Sequence, residues 1–160
     1  MKKRTYFLII LLLVALDQST KLLVLHFLQG NRFYIFGDFL KLKVVTNYSS
    51  MSLLSIMGVV FPPVLSVAIK LVILSLVFWL IFYFRKTYGE STAWKVVFIT
   101  VSAGVLCAVL DSAAWKRTID FIDFASSFAI DIKDIYLDIG CISLIVYAVN
   151  KKVWVSRIRH

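Results

Sequence analysis

Several ionisable side chains lie inside long apolar runs of this sequence. The first run, from Tyr6 to Leu28, contains Asp17 and Lys21, and two later runs contain Asp111 and Asp134. An ionisable group in hydrocarbon costs several kcal/mol unless it is paired or faces a water-filled cavity. Each of these residues is therefore a candidate for a functional role.

Asp111 and Asp134 are predicted to lie at nearly the same depth in a bilayer. With about 1.5 Å of rise per residue, Asp111 lies about 22 Å above the inner start of its helix, and Asp134 about 6 Å below the outer end of the next. Two close carboxylates share a proton, so the ionised one activates water while the protonated one polarises a carbonyl. This is aspartic-protease chemistry, although each acid taken singly fits an interfacial residue near a helix end.

Asp17 and Lys21 are spaced i, i+4 with the acid nearer the N-terminus, which favours an ion pair on one helix. A structural ion pair and a catalytic role both remain open for them. Lys70 is predicted to extend its ammonium toward the membrane surface. Asp138 lies one turn after Asp134 on the same helix face, and it needs a basic partner, for which Lys70 and Lys21 are at reachable depth.

The composition is that of an integral membrane protein. Of the 160 residues 61% are hydrophobic and 17% are charged, and the mean hydropathy is +0.88, which is too apolar for an ordinary soluble domain. The net charge of +9 does not indicate nucleic-acid binding, because the basic residues form short clusters between apolar runs. We predict one membrane domain over residues 1–160. Cys107 and Cys141 lack metal-ligand spacing and are predicted to be inert core thiols.

Four segments are long enough, or nearly so, to cross about 30 Å of hydrocarbon as helices. They comprise residues 6–28, 64–84, 96–114 and 130–149. The first follows a basic "MKKR" segment, as in a signal peptide, but it lacks a small-residue cleavage site, so we interpret it as a retained span. Pro62 and Pro63 suit the start of the second, whereas Asp134 and Asp138 interrupt the fourth.

The charges of the connecting segments predict the orientation. If the N-terminus is inside, ten basic residues are cytoplasmic: Lys2, Lys3, Arg4, Arg85, Lys86, Lys95, Lys151, Lys152, Arg157 and Arg159. Six are outside, namely Arg32, Lys41, Lys43, Lys116, Arg117 and Lys133, partly offset by four aspartates. The positive-inside rule therefore places both termini in the cytoplasm.

Two segments, 29–63 and 115–129, are then extracytoplasmic. The stretch "FLKLKVV" in the first alternates apolar and basic residues with a period of two, which predicts a strand. We expect an α-helical integral membrane protein with four transmembrane helices, a small extracytoplasmic β-sheet on the membrane surface and a second, short extracytoplasmic loop.

Five stretches of the sequence carry a family resemblance. "LDQSTK" is similar to the motif D-Q-x-[ST]-K, and "FGDFLKLKVVTN" resembles a segment that leads to an outer-loop asparagine, here Asn47. "AVLDS" stands where the family has N-x-x-D-R, and "TIDFIDF" resembles the V-x-D-F segment that follows. "IDIKDIYLDIG" stands where F-N-x-A-D and a later glycine, here Gly140, are expected. The family is lipoprotein signal peptidase (signal peptidase II), a four-span aspartyl protease of bacterial inner membranes.

The chain departs from the family pattern around these motifs. Ala108 and Ser112 stand in place of an asparagine and an arginine around the first aspartate, and "SAGVLCA" keeps few of the glycines that precede it. Asp131 and Lys133 replace an asparagine and a small residue before the second aspartate. The stretch "NYSSMSLLS" lacks the glycine and the phenylalanine expected after Asn47. We expect an altered polar network in which Lys133 supplies a cation, rather than a simple loss.

The resemblance implies removal of the signal peptide from diacylglyceryl-modified prolipoproteins, with Asp111 and Asp134 as the catalytic pair. Asp17, Lys21 and Asn47 are implied with it as supporting residues that hold the pair and the substrate. Asp131, Lys133 and Asp138 are predicted as further supporting or substrate-binding residues, although the first two depart from the family pattern and Asp138 has no counterpart in it. No metal or organic cofactor is needed, membrane lipids are partners, and a cyclic depsipeptide of the globomycin type is the implied inhibitor.

Two other functions are weighed against the peptidase. The departures favour, as the main alternative, a catalytically impaired homologue that binds lipoprotein signal peptides or another membrane partner. A small transporter or channel subunit would use Lys21, Lys70 and the acids as an ion path, but four short spans without a repeat make a poor pore.

Overall fold

The computed structural model describes residues 3–47, 62–89, 91–125 and 127–158. Along the chain the elements are α1 (Lys3–Leu28), β1 (Arg32–Phe36), β2 (Leu40–Asn47), α2 (Pro63–Tyr88), α3 (Thr92–Leu110), a π-helical turn (Asp111–Trp115), β3 (Thr118–Phe124), β4 (Phe128–Ile130) and α4 (Ile132–Ile158). Apart from residues 111–114 and 130–131, the four predicted apolar segments lie within these four helices. The helices extend beyond the predicted segments mainly at the ends that carry basic residues.

Three helical segments in the described part of the chain are long and apolar enough to cross a membrane: Lys3–Leu28, Val67–Thr87 and Thr92–Trp115. Their outer surfaces carry large exposed apolar side chains, among them Phe7, Leu12 and Trp79. Such a surface is suited to contact with lipid rather than with water. Together with the small sheet, these helices are the features of a membrane protein.

Helix α3 packs closely against α4 because two glycines lie at their contact. A Cβ atom added at Gly104 would lie 2.8 Å from the Leu137 side chain and 3.2 Å from the carbonyl oxygen of Lys133, and one added at Gly140 would collide with Val101. Small residues allow two helix backbones to approach in this way. The close approach brings Lys133, at the start of α4, against the last turns of α3.

The sheet is four-stranded and antiparallel, in the order β1-β2-β3-β4. The strand predicted from "FLKLKVV" is confirmed as β2. Segment 115–129, which was predicted to be a short loop, instead supplies β3 and β4 to the same sheet, so that prediction is wrong. β3 forms because it pairs along β2, with Lys41 directly opposite Asp123, and opposite charges across two strands favour this register.

The π-helical turn connects α3 to the sheet. It begins at Asp111 and ends before Lys116, whose φ of +56° is in the left-handed region and redirects the chain. Wide turns of this kind are frequent at functional sites. Here the turn allows the chain to run from the buried Asp111 into β3, which carries Asp120.

Candidate active site

Eight ionisable residues lie together where α1, α2, the π-helical turn, β3 and the start of α4 meet. Seven are buried and Asp134 is half-buried. We call this set the charged cluster: Asp17, Lys21, Lys70, Asp111, Asp120, Asp131, Lys133 and Asp134.

Lys21 joins three elements through ion pairs. Its Nζ lies 2.8 Å from Asp17 Oδ2, 2.7 Å from Asp111 Oδ1 and 2.8 Å from Asp131 Oδ2. The ion pair predicted from the i, i+4 spacing of Asp17 and Lys21 is confirmed. Asp17 also accepts a hydrogen bond from the backbone N–H of Lys133 at 3.2 Å, so the pair links α1 to the start of α4.

Lys133 is a second bridging cation. Its Nζ lies 3.2 Å from Asp111 Oδ2 and 3.7 Å from Asp120 Oδ1, and it also donates to Asp131 Oδ2. The expectation that Lys133 supplies a cation to the altered network is therefore confirmed. It contacts Asp111 from another element, whereas the arginine expected from the family pattern is next to Asp111 in sequence.

Asp111 is fully buried and surrounded by donors. Lys21 contacts both of its carboxylate oxygens, Lys133 contacts Oδ2, and the side-chain amide of Gln18 donates to Oδ1 at 3.3 Å. This environment is that of a structural counter-ion, since it leaves no oxygen without a cationic partner.

Asp134 and Asp131 cap the start of α4 reciprocally. Asp131 Oδ1 accepts from the backbone N–H of Asp134 at 3.3 Å, and Asp134 Oδ2 accepts from the backbone N–H of Asp131 at 3.1 Å. This is a capping box, which satisfies two N–H groups that a helix start leaves unpaired. It fixes the position of the half-buried Asp134 carboxylate, whose Oδ1 takes no part in the box.

Asp120 lies on β3 and is 5% exposed. One of its carboxylate oxygens lies within 4.8 Å of carboxylate oxygens of both Asp131 and Asp134. The pKa of Asp120 is raised to about 7: burial is the largest cause, the Lys133 ammonium lowers the pKa, and the negative charges of Asp131 and Asp134 raise it. Asp120 was not predicted as a site residue. The available signal was the resemblance of "TIDFIDF" to V-x-D-F, which contains an aspartate.

The carboxylates of Asp120, Asp131 and Asp134 are close enough together to hold a metal ion. However, the Lys133 ammonium contacts Asp131 and Asp120 directly, so it supplies positive charge where a cation would bind. The Lys133 ammonium thus partly neutralises these carboxylates in the present arrangement.

A cavity of about 530 Å³ opens beside the charged cluster, between α2, α3 and α4. Its polar end is formed by Lys70, Thr118, Asp120, Lys133 and Asp134, and the rest of its wall is almost entirely apolar: Ile73, Val77, Leu80, Ile81, Val97, Val101, Val105, Ala108, Leu137, Gly140, Cys141 and Leu144. An apolar slot with a few polar groups at one end is typical of a ligand site. Asp120 and Asp134 line it, whereas Asp111 does not.

Two further predicted site residues, Asn47 and Asp138, lie outside the charged cluster. Asn47 ends β2 and is paired with Thr118 of the cavity wall. Asp138 is exposed and forms no ion pair with Lys21 or Lys70 within the described ranges, so the structure does not bring it into the charged cluster.

Two predictions about individual side chains are wrong. Lys70 does not extend to the surface: it is buried and donates to the carbonyl oxygen of Ala108 at 3.1 Å and to the hydroxyl of Ser112. Packing of α2 against the end of α3 provides these acceptors, which sequence spacing within α2 does not reveal. Of the two predicted core thiols Cys107 is buried, but Cys141 is exposed.

The family described as "Signal peptidase (SPase) II" matches residues 9–150 of this chain. None of the curated proteins matches it. Two solved structures, each titled a bacterial membrane enzyme structure by the in meso method, share the fold with a TM-score of 0.70 and 22% sequence identity. The alignments cover 94% of this chain and 90% of the first structure, and 90% of this chain and 92% of the second.

Proposed function

The chain belongs to the signal peptidase II family, and we propose that it is an aspartic endopeptidase that removes the signal peptide from a diacylglyceryl-modified prolipoprotein. The observation that carries this proposal is the pair of acids, Asp120 and Asp134, at the polar end of an apolar cavity. A signal peptide is an apolar segment joined to a polar one. The cavity suits it because the apolar wall binds the segment while the acids reach the peptide bond at its end.

We assign the catalytic pair to Asp120 and Asp134, in place of the predicted pair of Asp111 and Asp134. Asp111 is held by Lys21 and Lys133 and does not line the cavity. Asp120 has a pKa of about 7, so it retains a proton near neutral pH, which a general acid requires. The predicted role of Asp111 in catalysis stays a prediction that the experiment below separates from this one.

The proposed reaction uses one proton on the pair. Asp134 takes a proton from a water molecule, the water oxygen attacks the scissile carbonyl carbon, and Asp120 donates its proton to the carbonyl oxygen. The tetrahedral intermediate then breaks its C–N bond, and the leaving amine takes the proton from Asp134. Asp120 takes back a proton from one of the two hydroxyl groups of the intermediate, and the C=O bond of the new carboxyl group forms.

The remaining cluster residues are proposed to position the pair. Asp17, Lys21, Asp131 and Lys133 connect α1 to the start of α4 and hold Asp134 against β3. The substrate-binding role predicted for Asn47 rests on the pairing of its strand with the cavity residue Thr118.

We further propose that α4 is a fourth span, that residues 1–160 form one domain, and that the protein lies in the bacterial inner membrane with both termini in the cytoplasm. The excess of basic residues at the inner ends of the helices supports this orientation. Membrane lipids then surround the exposed apolar faces, and the sheet is extracytoplasmic. No cofactor is required, and a globomycin-type cyclic depsipeptide is proposed to inhibit by occupying the cavity.

Cleavage of a diacylglyceryl-modified prolipoprotein by the purified protein in nanodiscs tests the function. Asp120→Asn and Asp134→Asn are expected to abolish cleavage, whereas the control Asp138→Asn, an exposed acid on the same helix as Asp134, retains it. If the wild-type protein is folded and binds substrate or globomycin without cleaving, the chain is the catalytically impaired homologue. If Asp120→Asn cleaves and folded Asp111→Asn does not, the originally predicted pair is correct.

A further inference from the structure

Lys70 differs from the other lysines of the charged cluster in its partners. Lys21 and Lys133 each form ion pairs with several carboxylates. Lys70 instead donates to two neutral acceptors, the carbonyl oxygen of Ala108 and the hydroxyl of Ser112. Within residues 3–47, 62–89, 91–125 and 127–158 it forms no ion pair.

This arrangement leaves one N–H donor of Lys70 without an acceptor among the residues that the structure describes. An ammonium group has three N–H donors, and two of them are taken by Ala108 and Ser112. The side chain is 7% exposed and lines the cavity that also contains Asp120 and Asp134. Because a buried cation ordinarily has an anionic partner, a lysine retained here without one is a candidate for contact with a ligand.

We propose that Lys70 is a substrate-binding residue that donates its third N–H to a carbonyl oxygen of the substrate at the polar end of the cavity. This inference rests on the proposed peptidase function and adds to it the residue that binds the substrate. The carbonyl oxygen of Ala108 orients the ammonium, and this hydrogen bond remains when Ser112 is replaced. The carbonyl belongs either to a peptide group near the scissile bond or to an ester of the diacylglyceryl group.

The test compares Lys70→Met with Ser112→Ala in the nanodisc cleavage assay. Met keeps the length of the side chain and needs no partner in an apolar wall. Ser112→Ala removes the same Lys70–Ser112 hydrogen bond but leaves the ammonium and its bond to Ala108. We expect kcat/KM of Lys70→Met to fall about tenfold or more, the value of a hydrogen bond to a charged group, and that of Ser112→Ala to stay within about threefold of wild type.

The thermal midpoint provides a second readout. A purely structural Lys70 would lower Tm when it is replaced, whereas the proposal expects Lys70→Met to keep a Tm at or above that of wild type, because it removes a buried cation without an anionic partner. If Lys70→Met does not fold, Lys70→Gln replaces it, and its kcat/KM is expected to be more than about threefold below that of Ser112→Ala.

Two synthetic lipopeptide substrates distinguish the sources of the carbonyl, one with ester-linked and one with ether-linked chains. If the ester accepts the bond, Lys70→Met loses kcat/KM only with the ester substrate; if the peptide accepts it, the loss is equal with both. Values within about threefold of wild type with both substrates, or an equal loss in Ser112→Ala, overturn the proposal. Cleavage retained by Asp120→Asn and Asp134→Asn would instead overturn the proposed function.

Discussion

Replacing Asp120 by asparagine is expected to abolish cleavage and, at alkaline pH, to stabilise the protein. The pKa of Asp120 is about 7 against an ordinary value of 3.8. This difference corresponds to up to about 4 kcal/mol of unfolding free energy, since each pKa unit is worth about 1.4 kcal/mol. Because the pKa is raised in the folded state, this stability is fully present below pH 3.8, the ordinary pKa of the group in the unfolded chain. It is lost as the pH rises to the folded pKa of about 7.

The matched comparison is Asp111→Asn, which also replaces an aspartate by asparagine, but at a carboxylate that forms ion pairs with two lysines. The Asp111 carboxylate neutralises Lys21 and Lys133 at 2.7 and 3.2 Å. Removing one partner of a buried ion pair typically costs about 3–5 kcal/mol. We therefore expect Asp111→Asn to lower Tm markedly, and any cleavage it loses to return partly at low temperature, where the variant is still folded.

The assay measures Tm in nanodiscs for wild type and both variants from about pH 4 to about pH 8.5, with cleavage followed in parallel. The Tm difference between Asp120→Asn and wild type should grow in favour of the variant as the pH rises from about 4 to about 7, and it should then stay constant. A difference that does not change with pH would refute the inference that Asp120 is protonated near neutrality. Normal cleavage by Asp120→Asn would refute its catalytic role.

Three further outcomes follow from the same geometry. The kcat/KM of the wild-type protein should fall with rising pH above about 7, approaching tenfold per pH unit, because the general acid Asp120 loses its proton; a flat profile to pH 9 or so would contradict this. Gly140→Ala should destabilise the protein by about 1–3 kcal/mol, because the new Cβ collides with Val101 and lies 2.9 Å from Thr100 Oγ1, and an unchanged Tm would show that α3 and α4 are farther apart. Asp138→Asn should not lower the free energy of unfolding, since the exposed carboxylate forms no ion pair with Lys21 or Lys70 in the described part of the chain; a loss would place Asp138 in the charged cluster.

The sequence was sufficient for the features that depend on neighbours along one helix. The four apolar runs predicted the helices because length and hydropathy determine which segments fit a bilayer. The i, i+4 spacing predicted the Asp17–Lys21 ion pair because helical geometry alone brings these side chains together. The strand β2 was predicted because the period of two is a local pattern.

Features that depend on packing between elements were not predicted. Depth in the bilayer can be estimated for residues on predicted spans, so Asp111 and Asp134 were predicted to lie at one level. Asp120 lies on a strand, and its depth could not be estimated in this way. The π-helical turn and the pairing of β3 with β2 bring Asp120 back over the start of α4. The partners of Lys70 likewise depend on the packing of α2 against α3, which the spacing of residues in α2 does not reveal.

The charged cluster contains two kinds of residue, and only one kind distinguishes an enzyme from a binding-only homologue. Asp17, Lys21 and Asp111 form buried ion pairs, which any stably folded protein retains because breaking them is costly, so they carry no information about activity. Asp120 is different, since burial disfavours its charge. A buried acid of this kind that still lines one cavity with Asp134 is expected where selection acts on activity. It is the physical reason to favour the peptidase.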